Sequence, residues 1–356
     1  MRGWWWLWSC CPGIGAVRMA SLRGLARELD VGPDELWGWS ITQLRQALNW
    51  PDACLAAVDQ FRQRKGLHPY LAVPSDVLLP GDRNWPTCLD HETVPPPALH
   101  CCGRKGLLSH LQQRQAVAVV GTRAASDHGI STAQHLGQSL AAAGWPVLSG
   151  LAEGIDAAAH RGCLAMQGAA VAVLGTPLDR VYPRHHRTLQ TRISQEGLLL
   201  TTHASGTSVR PGHFAARNRL LVLFARAVVV VECPERSGAL ITVRFASEQG
   251  CPIWSVPGDI SRWSCRGSNA LLKDQAKPLL CPDDLLSQLG PGPLQPSQCS
   301  EREQALLRAI GPGASVQELV RRLKIPAGEL ATLLLAMESQ GKLLCESGFR
   351  WRQRSP

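Results

Sequence analysis

Between residues 116 and 258 the chain alternates short apolar runs with amphipathic stretches, and this alternation restricts the fold more than any other feature. The runs are AVAVV (116–120), PVLS (146–149), AAVAVL (169–174), GLLLT (197–201), AVVVVE (227–232) and CPIWSV (251–256). Each is apolar at odd and even positions alike, so a strand made from it must be covered on both faces. That is the condition of a parallel sheet with helices packed on either side. The intervening segments are long enough for crossover helices, so the pattern predicts βαβ units in a doubly wound, Rossmann-like α/β fold.

Each run is followed by loop residues: GTR (121–123), GLAEGID (150–156), GTPLDR (175–180), THASG from 202, PERSG (234–238) and PGD (257–259). In a parallel sheet these loops share the carboxyl edge, where open α/β folds bind ligands. They are expected to form one pocket lip. Within them, SGLAEGIDAAAH (149–160) reads as a sharp strand-to-helix turn whose free amides and helix dipole favour an anion. Neither G-x-G-x-x-G after the first strand nor G-x-x-x-x-G-K-[ST] occurs, which argues against dinucleotide or ATP binding and leaves no cofactor to expect.

Arg123, Arg217 and Arg219 place guanidinium groups at that edge, beside glycine amides and the hydroxyls of Ser149 and Ser237. Guanidinium forks match phosphate oxygens, so the set suits a phosphodiester. For Arg217 and Arg219 the competing reading is ion pairing on a helix surface. Phe214 either stacks on a base or simply packs. Asp156 and His160, four apart on a helix, suit structural support better than catalysis, because no nucleophile or third ligand accompanies them; no metal site is expected. His185 and His186 read as a solvated loop pair, and the tryptophans as core or interface.

The formal charge of +9 favours a polyanionic partner, and no apolar run approaches the length of a membrane span. The 13 cysteines include no C-x-x-C, which suits a reducing cytoplasm. MRGWWWLWSCC resembles a secretory leader, but PGIG (12–15) follows without a small-residue cleavage site, so a buried first helix is favoured. PGIG itself is either a helix-hairpin-helix-like phosphate turn or a glycine turn between packed helices.

The chain divides into a helical SAM or helix-hairpin-helix-like domain (1–65), an extended lead-in (66–115), the Rossmann-like domain (116–289) with its expected phosphodiester site, a Pro/Gly linker (290–300) and a C-terminal domain (301–356). In the last, three short amphipathic helices precede a hairpin at LLCESGFRWR, turning at Gly348, which is a winged-helix pattern. Its third helix, 327–340, offers Glu329, Thr332, Glu338 and Gln340 on its polar face and no basic residue. Direct duplex reading is therefore disfavoured, which leaves either phosphate contacts by Arg350, Arg352 and Arg354 on the wing or a unit that binds protein.

VAVVGTR, SGLAEGIDAAAH, AVLGTPLDRVYP, FAARNRLL (214–221), RSGALIT (236–242) and VPGD (256–259), with the upstream GDRNWPTCLDHETVPPPALHCCG, resemble the ordered motifs of the DNA processing protein DprA (Smf) family. The resemblance implies a cytoplasmic, homodimeric, non-enzymatic protein. It would bind and protect incoming single-stranded DNA and load the recombinase RecA during natural transformation. Carried over by motif, the DNA-binding pocket falls on Gly121, Arg123, Ser149, Gly150, Arg217, Asn218, Arg219, Ser237 and Gly238, with Asp156, His160 and Phe214 supporting it.

The chain departs from the family at Glu153, where arginine is usual, at Thr201-Thr202, at Pro177 and at Asp274-Gln275-Ala276. Glu153 puts a negative charge on the pocket lip. The alternative function is a LOG-like Rossmann enzyme hydrolysing nucleoside monophosphates, but PERSGALIT lacks that group's tandem glycines and acid. A duplex-reading transcription regulator is disfavoured by the acidic third helix.

Overall fold

The computed structural model describes all residues except 67–68, 295–300, 312, 340–342, 347–349 and 354–356. Contacts divide it into two compact units, Met1–Leu294 and Gln295–Pro356.

The first unit opens with helices α1 (Arg2–Ser9), α2 (Ala16–Glu28), α3 (Pro33–Gly38), α4 (Ile41–Leu48) and α5 (Asp52–Lys65). The tryptophan-rich start is helical because it has a core to enter. Trp8 is fully buried and donates its indole N–H to the Pro33 carbonyl at 2.9 Å. The Arg62 guanidinium lies over the rings of Trp8 and Trp37, at 4.9 and 5.2 Å. It also donates to the Trp39 and Leu36 carbonyls at the end of α3, satisfying acceptors that a helix terminus leaves open.

The chain then runs through β1 (Val77–Leu78), β2 (Leu99–Gly103), α6 (Leu107–Gln112), β3 (Ala116–Val120), α7 (Asp127–Ala142), β4 (Val147–Ser149), α8 (Ile155–Ala165) and β5 (Ala170–Val173). It continues through α9 (Arg187–Glu196), β6 (Leu198–Thr201), α10 (Pro211–Phe224), β7 (Ala225–Val230), α11 (Ala239–Glu248), β8 (Ile253–Ser255), α12 (Arg266–Asp274), β9 (Lys277–Pro278) and α13 (Pro282–Leu289). The nine strands form one sheet in the order β1-β2-β6-β5-β4-β3-β7-β8-β9.

From β3 to β9 every neighbouring pair is parallel. Two extended segments of the lead-in join the sheet: β2 pairs antiparallel with β6, and β1 antiparallel with β2, so they add an edge to it. Burial explains this, because LHC (99–101) is wholly buried without any long apolar run to announce it.

Alternate residues of β3 enter opposite cores. Ala116, Ala118 and Val120 join Leu221, Phe224 and Val243 on one side; Val117 and Val119 join Leu136, Ile155 and Ala159 on the other. On the second face α7 and α8 approach closely at glycines. A Cβ on Gly162 would lie 1.9 Å from the Gln134 carbonyl oxygen, and one on Gly137 2.2 Å from that of Ala159. Gly162→Ala is therefore expected to cost about 1–3 kcal/mol by forcing the helices apart, read as a lowered denaturant midpoint.

The second unit contains α14 (Glu301–Ile310), β10 (Ala314–Ser315), α15 (Val316–Leu323), α16 (Ala327–Ser339), β11 (Leu343–Glu346) and β12 (Arg350–Gln353). The three strands pair antiparallel in the order β10-β12-β11. Leu306, Leu319, Leu334 and Trp351 form its core. Ser315 and Glu318 make a reciprocal capping box at the start of α15. Gln340, Gly348 and Arg354 lie outside the described residues, as does the linker from 295 on.

Candidate functional site

Strand order reverses at β3: β4, β5 and β6 extend one way and β7, β8 and β9 the other. The loops after β3 and β7 therefore part company at their carboxyl ends and leave a crevice, the usual ligand position in such sheets. A groove of about 510 Å³ occupies this place. Gly121, Thr122 and Arg123 form its floor, Arg236, Ser237 and Gly238 one wall, and one face of α10 the other. Phe214, Arg217, Asn218 and Leu221 share that face because they repeat at helical spacing.

Arg123 is exposed, and its guanidinium lies 5.6 Å over the Phe214 ring. Tyr182, from the loop after β5, brings its own ring to 5.1 Å from Phe214. Cation and aromatic surface thus stand on one wall. Asn218 Nδ2 reaches the Gly238 carbonyl at 3.3 Å, and Ser237 Oγ accepts the Ala239 amide at 3.2 Å, so these polar groups fix the rim at the start of α11.

Arg217 lies beneath the groove. It is 5% exposed, donates to the Val173 carbonyl at 2.6 Å, and occupies the space a Cβ on Gly150 would need, 1.7 Å from Nη1. Burial pulls its pKa down to about 10, opposed by the nearby Asp156 carboxylate, so it stays charged at neutral pH. Neither alternative of the sequence reading, surface ion pair or exposed phosphate ligand, describes it.

In the 149–160 turn Asp156 holds the loop by accepting its amides, the structural support expected of it. The Gly150 and Ala152 amides donate to Asp156 Oδ2 at 3.1 and 3.4 Å, and the Ile155 amide to the Thr122 carbonyl. The anion held by this helix start is the chain's own carboxylate, whose pKa burial raises against the pull of Arg217. Gly150 is glycine to admit Arg217, and Gly154, at φ +74°, because a Cβ would strike the Thr122 and Arg123 carbonyls. Ser149 is also corrected: it is fully buried and donates Oγ to the Val119 carbonyl at 2.6 Å, so its hydroxyl serves the sheet.

Arg219 is corrected as well. It leaves α10 on the face away from the groove, ion-pairs with Glu92 and lies 5.5 Å over the Phe245 ring. The six loops do not make one lip, because α10 stands between them: Thr202, His203 and Ala204 line a separate cleft beyond it. Nor are His185 and His186 both solvated. His186 is 3% exposed with Nδ1 on the Leu151 carbonyl at 3.1 Å, while His185 pairs with Glu153 at 3.3 Å.

His160 is buried, and its Nε2–H donates to the Val171 carbonyl at 3.1 Å, while Asp156 serves the 150–152 amides; the two do not act as a pair. Burial holds His160 at about 4, against 6.5 for the free side chain. With the folded pKa depressed, the folded state resists protonation and stability is lost as pH falls from 6.5 towards 4. Over that window the parent is expected to lose about 3 kcal/mol relative to His160→Gln, measured by denaturant unfolding at each pH.

Sequence reading passed over Arg236, Tyr182 and Trp263. Trp263, 64% exposed at the groove, follows the PGD loop and carried no periodic signal. Among the described residues no group of His, Cys, Asp and Glu side chains could hold a metal, and no helix is long and apolar enough to cross a membrane.

Fold and site together define a Rossmann-like α/β protein whose switch-point groove is lined by arginine and aromatic side chains. The model of the DNA recombination-mediator protein A family matches residues 76–290. The chain is 33% identical to Protein Smf of Synechocystis over 82% of its own length and 74% of that protein. It is 32% identical to Protein Smf of Escherichia coli over 94% and 91%. Among solved structures, DNA processing protein A from Streptococcus pneumoniae superposes with a TM-score of 0.67 at 26% identity, covering 81% of this chain and 98% of that one. DNA processing protein A from Helicobacter pylori, whose structure concerns its single-stranded DNA binding mode, superposes with a TM-score of 0.53 at 28% identity over 58% and 93%. The chain belongs to the DNA recombination-mediator protein A (DprA/Smf) family.

Proposed function

We propose that this protein binds single-stranded DNA in the groove beside α10 and acts by holding the strand rather than by turning it over. In this reading it protects incoming DNA and delivers it to RecA in natural transformation, as a cytoplasmic homodimer. The observation that carries the proposal is the placement of the exposed Arg123 guanidinium against the Phe214 ring in an open groove, with Tyr182 packed on that ring from the adjoining pocket. A single strand offers such a wall both a phosphate for the cation and an unstacked base for the ring; a duplex offers only the first. The single-strand binding of the Helicobacter pylori relative agrees with it.

Residues 301–356 are read as a winged-helix domain from the helix order and the β11–β12 hairpin. Its α16 carries Glu329, Thr332 and Glu338, which suits a protein contact better than a DNA groove.

The test is a titration of the full chain with single-stranded and duplex DNA of one sequence at several salt concentrations. Preference for the single strand, with log K falling by about 0.7 per log unit of salt for each phosphate engaged, is the expected result. Equal affinity for both forms would refute the reading. Glu153, beside Arg123 at the lip and 3.3 Å from His185, opposes a phosphate there. Glu153→Arg is expected to tighten single-strand binding several-fold at low salt, an effect that fades as salt screens it.

A further inference from the structure

Behind α10 lies a larger space of about 970 Å³ that the groove does not use. It separates the PGIG turn and the start of α2 from the sheet edge at β2 and the loop after β6. The two compartments share α10 as a wall, Phe214, Arg217 and Asn218 facing one and Ala216, Arg219 and Leu220 facing the other. Arg210, exposed at the N-cap of α10, stands on the cleft side where a strand leaving the groove would round the helix end.

The cleft offers complementary surfaces for a nucleotide. On the helical side no side chain caps α2, its first turn holds no acid, and a Cβ on Gly15 would meet nothing within 4 Å, so the helix start is open to the cleft. Arg18 is fastened beside it by donating to the Gly13 carbonyl at 2.5 Å. His203, lining the cleft from the loop after β6, stacks on His213 of α10 with centroids 4.0 Å apart and planes 20° apart. His100 is 93% buried yet lines the cleft, with a ring contact to Trp6 and no hydrogen-bond partner for its imidazole among the described residues. Its ring nitrogens are open to the cleft, where a ligand can meet them. Arg219 is neutralised by Glu92, so the cationic contribution rests on Arg18 and Arg210.

We infer that the strand bound in the groove continues around the N-terminal end of α10 into this cleft. There the α2 start, Arg18 and Arg210 take a phosphate, and the His203–His213 stack and His100 take a base. Cations that take a phosphate and a flat surface that takes a base are the two requirements of single-strand binding. The inference rests on the groove being a single-strand site and extends it by a second compartment.

The experiment uses the full chain and oligothymidylates of about five and about twenty nucleotides. The parent is expected to bind the longer strand more tightly than added length alone explains. Arg18→Ala/Arg210→Ala is expected to weaken the long strand about tenfold, leave the short one unchanged, and melt like the parent. Arg161→Ala/Arg226→Ala, which removes the same charge from other exposed positions, is expected to leave both unchanged. Equal loss on both lengths, loss in neither, or equal loss in the two double variants overturns the second compartment. A 2-aminopurine moved along the long strand is expected to be quenched in two separated windows, the second absent in Arg18→Ala/Arg210→Ala; a single window also overturns it. If the parent fails to bind even the short strand, the groove reading itself falls, and the extension with it.

Discussion

Replacing Arg217 with alanine is expected to lower the stability of the first unit by about 3 kcal/mol and its melting midpoint by about 5–10 °C. The guanidinium fills the space against Gly150, bonds the Val173 carbonyl and balances Asp156, all without access to solvent. Its loss leaves a cavity and an unbalanced buried carboxylate. Asp156, whose pKa burial already raises, then takes up a proton, which keeps the cost near the lower end for a broken buried pair. Arg217→Met/Asp156→Asn is expected to recover part of the loss, because the volume is filled and no charge remains. Denaturant unfolding of the four chains of the cycle measures this; additive single effects would show that the two residues are independent. Loss of DNA binding in Arg217→Ala would accordingly report a collapsed groove floor rather than a missing phosphate contact.

The second large effect belongs to Arg123 and Phe214. Phe214→Ala is expected to weaken single-strand binding by about tenfold to a hundredfold, the range of one base–aromatic stack, with little change for duplex. Arg123→Ala is expected to weaken binding by about tenfold and to reduce the salt slope by about 0.7, one phosphate contact fewer. Arg123 is exposed and Phe214 only half-buried, so neither variant is expected to lower the melting midpoint by more than a few degrees. The Arg123 cation lies on the Phe214 ring, so the double variant is expected to lose less than the sum of the two. Fluorescence anisotropy with one labelled oligonucleotide settles it. Unchanged affinity in Phe214→Ala would remove the stacking wall from the proposed site.

The helices, the parallel core and the carboxyl-edge placement of the loops were legible because they follow from local pattern. The lead-in strands were not, since LHCCG at 99–103 is short, mixed in character and becomes a strand only by pairing with β6. Arg123 was legible because a basic residue in a glycine loop at a strand end has little else to do. Arg217 and Arg219 looked alike, two positions apart in FAARNRLL, yet face opposite sides of α10 and do unrelated work.

SGLAEGIDAAAH shows the same division most clearly. Its residue pattern already determined a tight turn, an anion at a helix start and a glycine at each close approach, because backbone sterics and the helix dipole act over a few residues. Asp156 as the group that accepts the loop amides was legible too; the cation buried beside it was decided by tertiary structure. Burying Arg217 against Gly150 places a cation beside Asp156 and leaves Arg123 and Phe214 to line the open groove. The range of the forces sets the boundary: periodicity and turn chemistry are local, whereas burial and the pairing of charges depend on residues some sixty positions away.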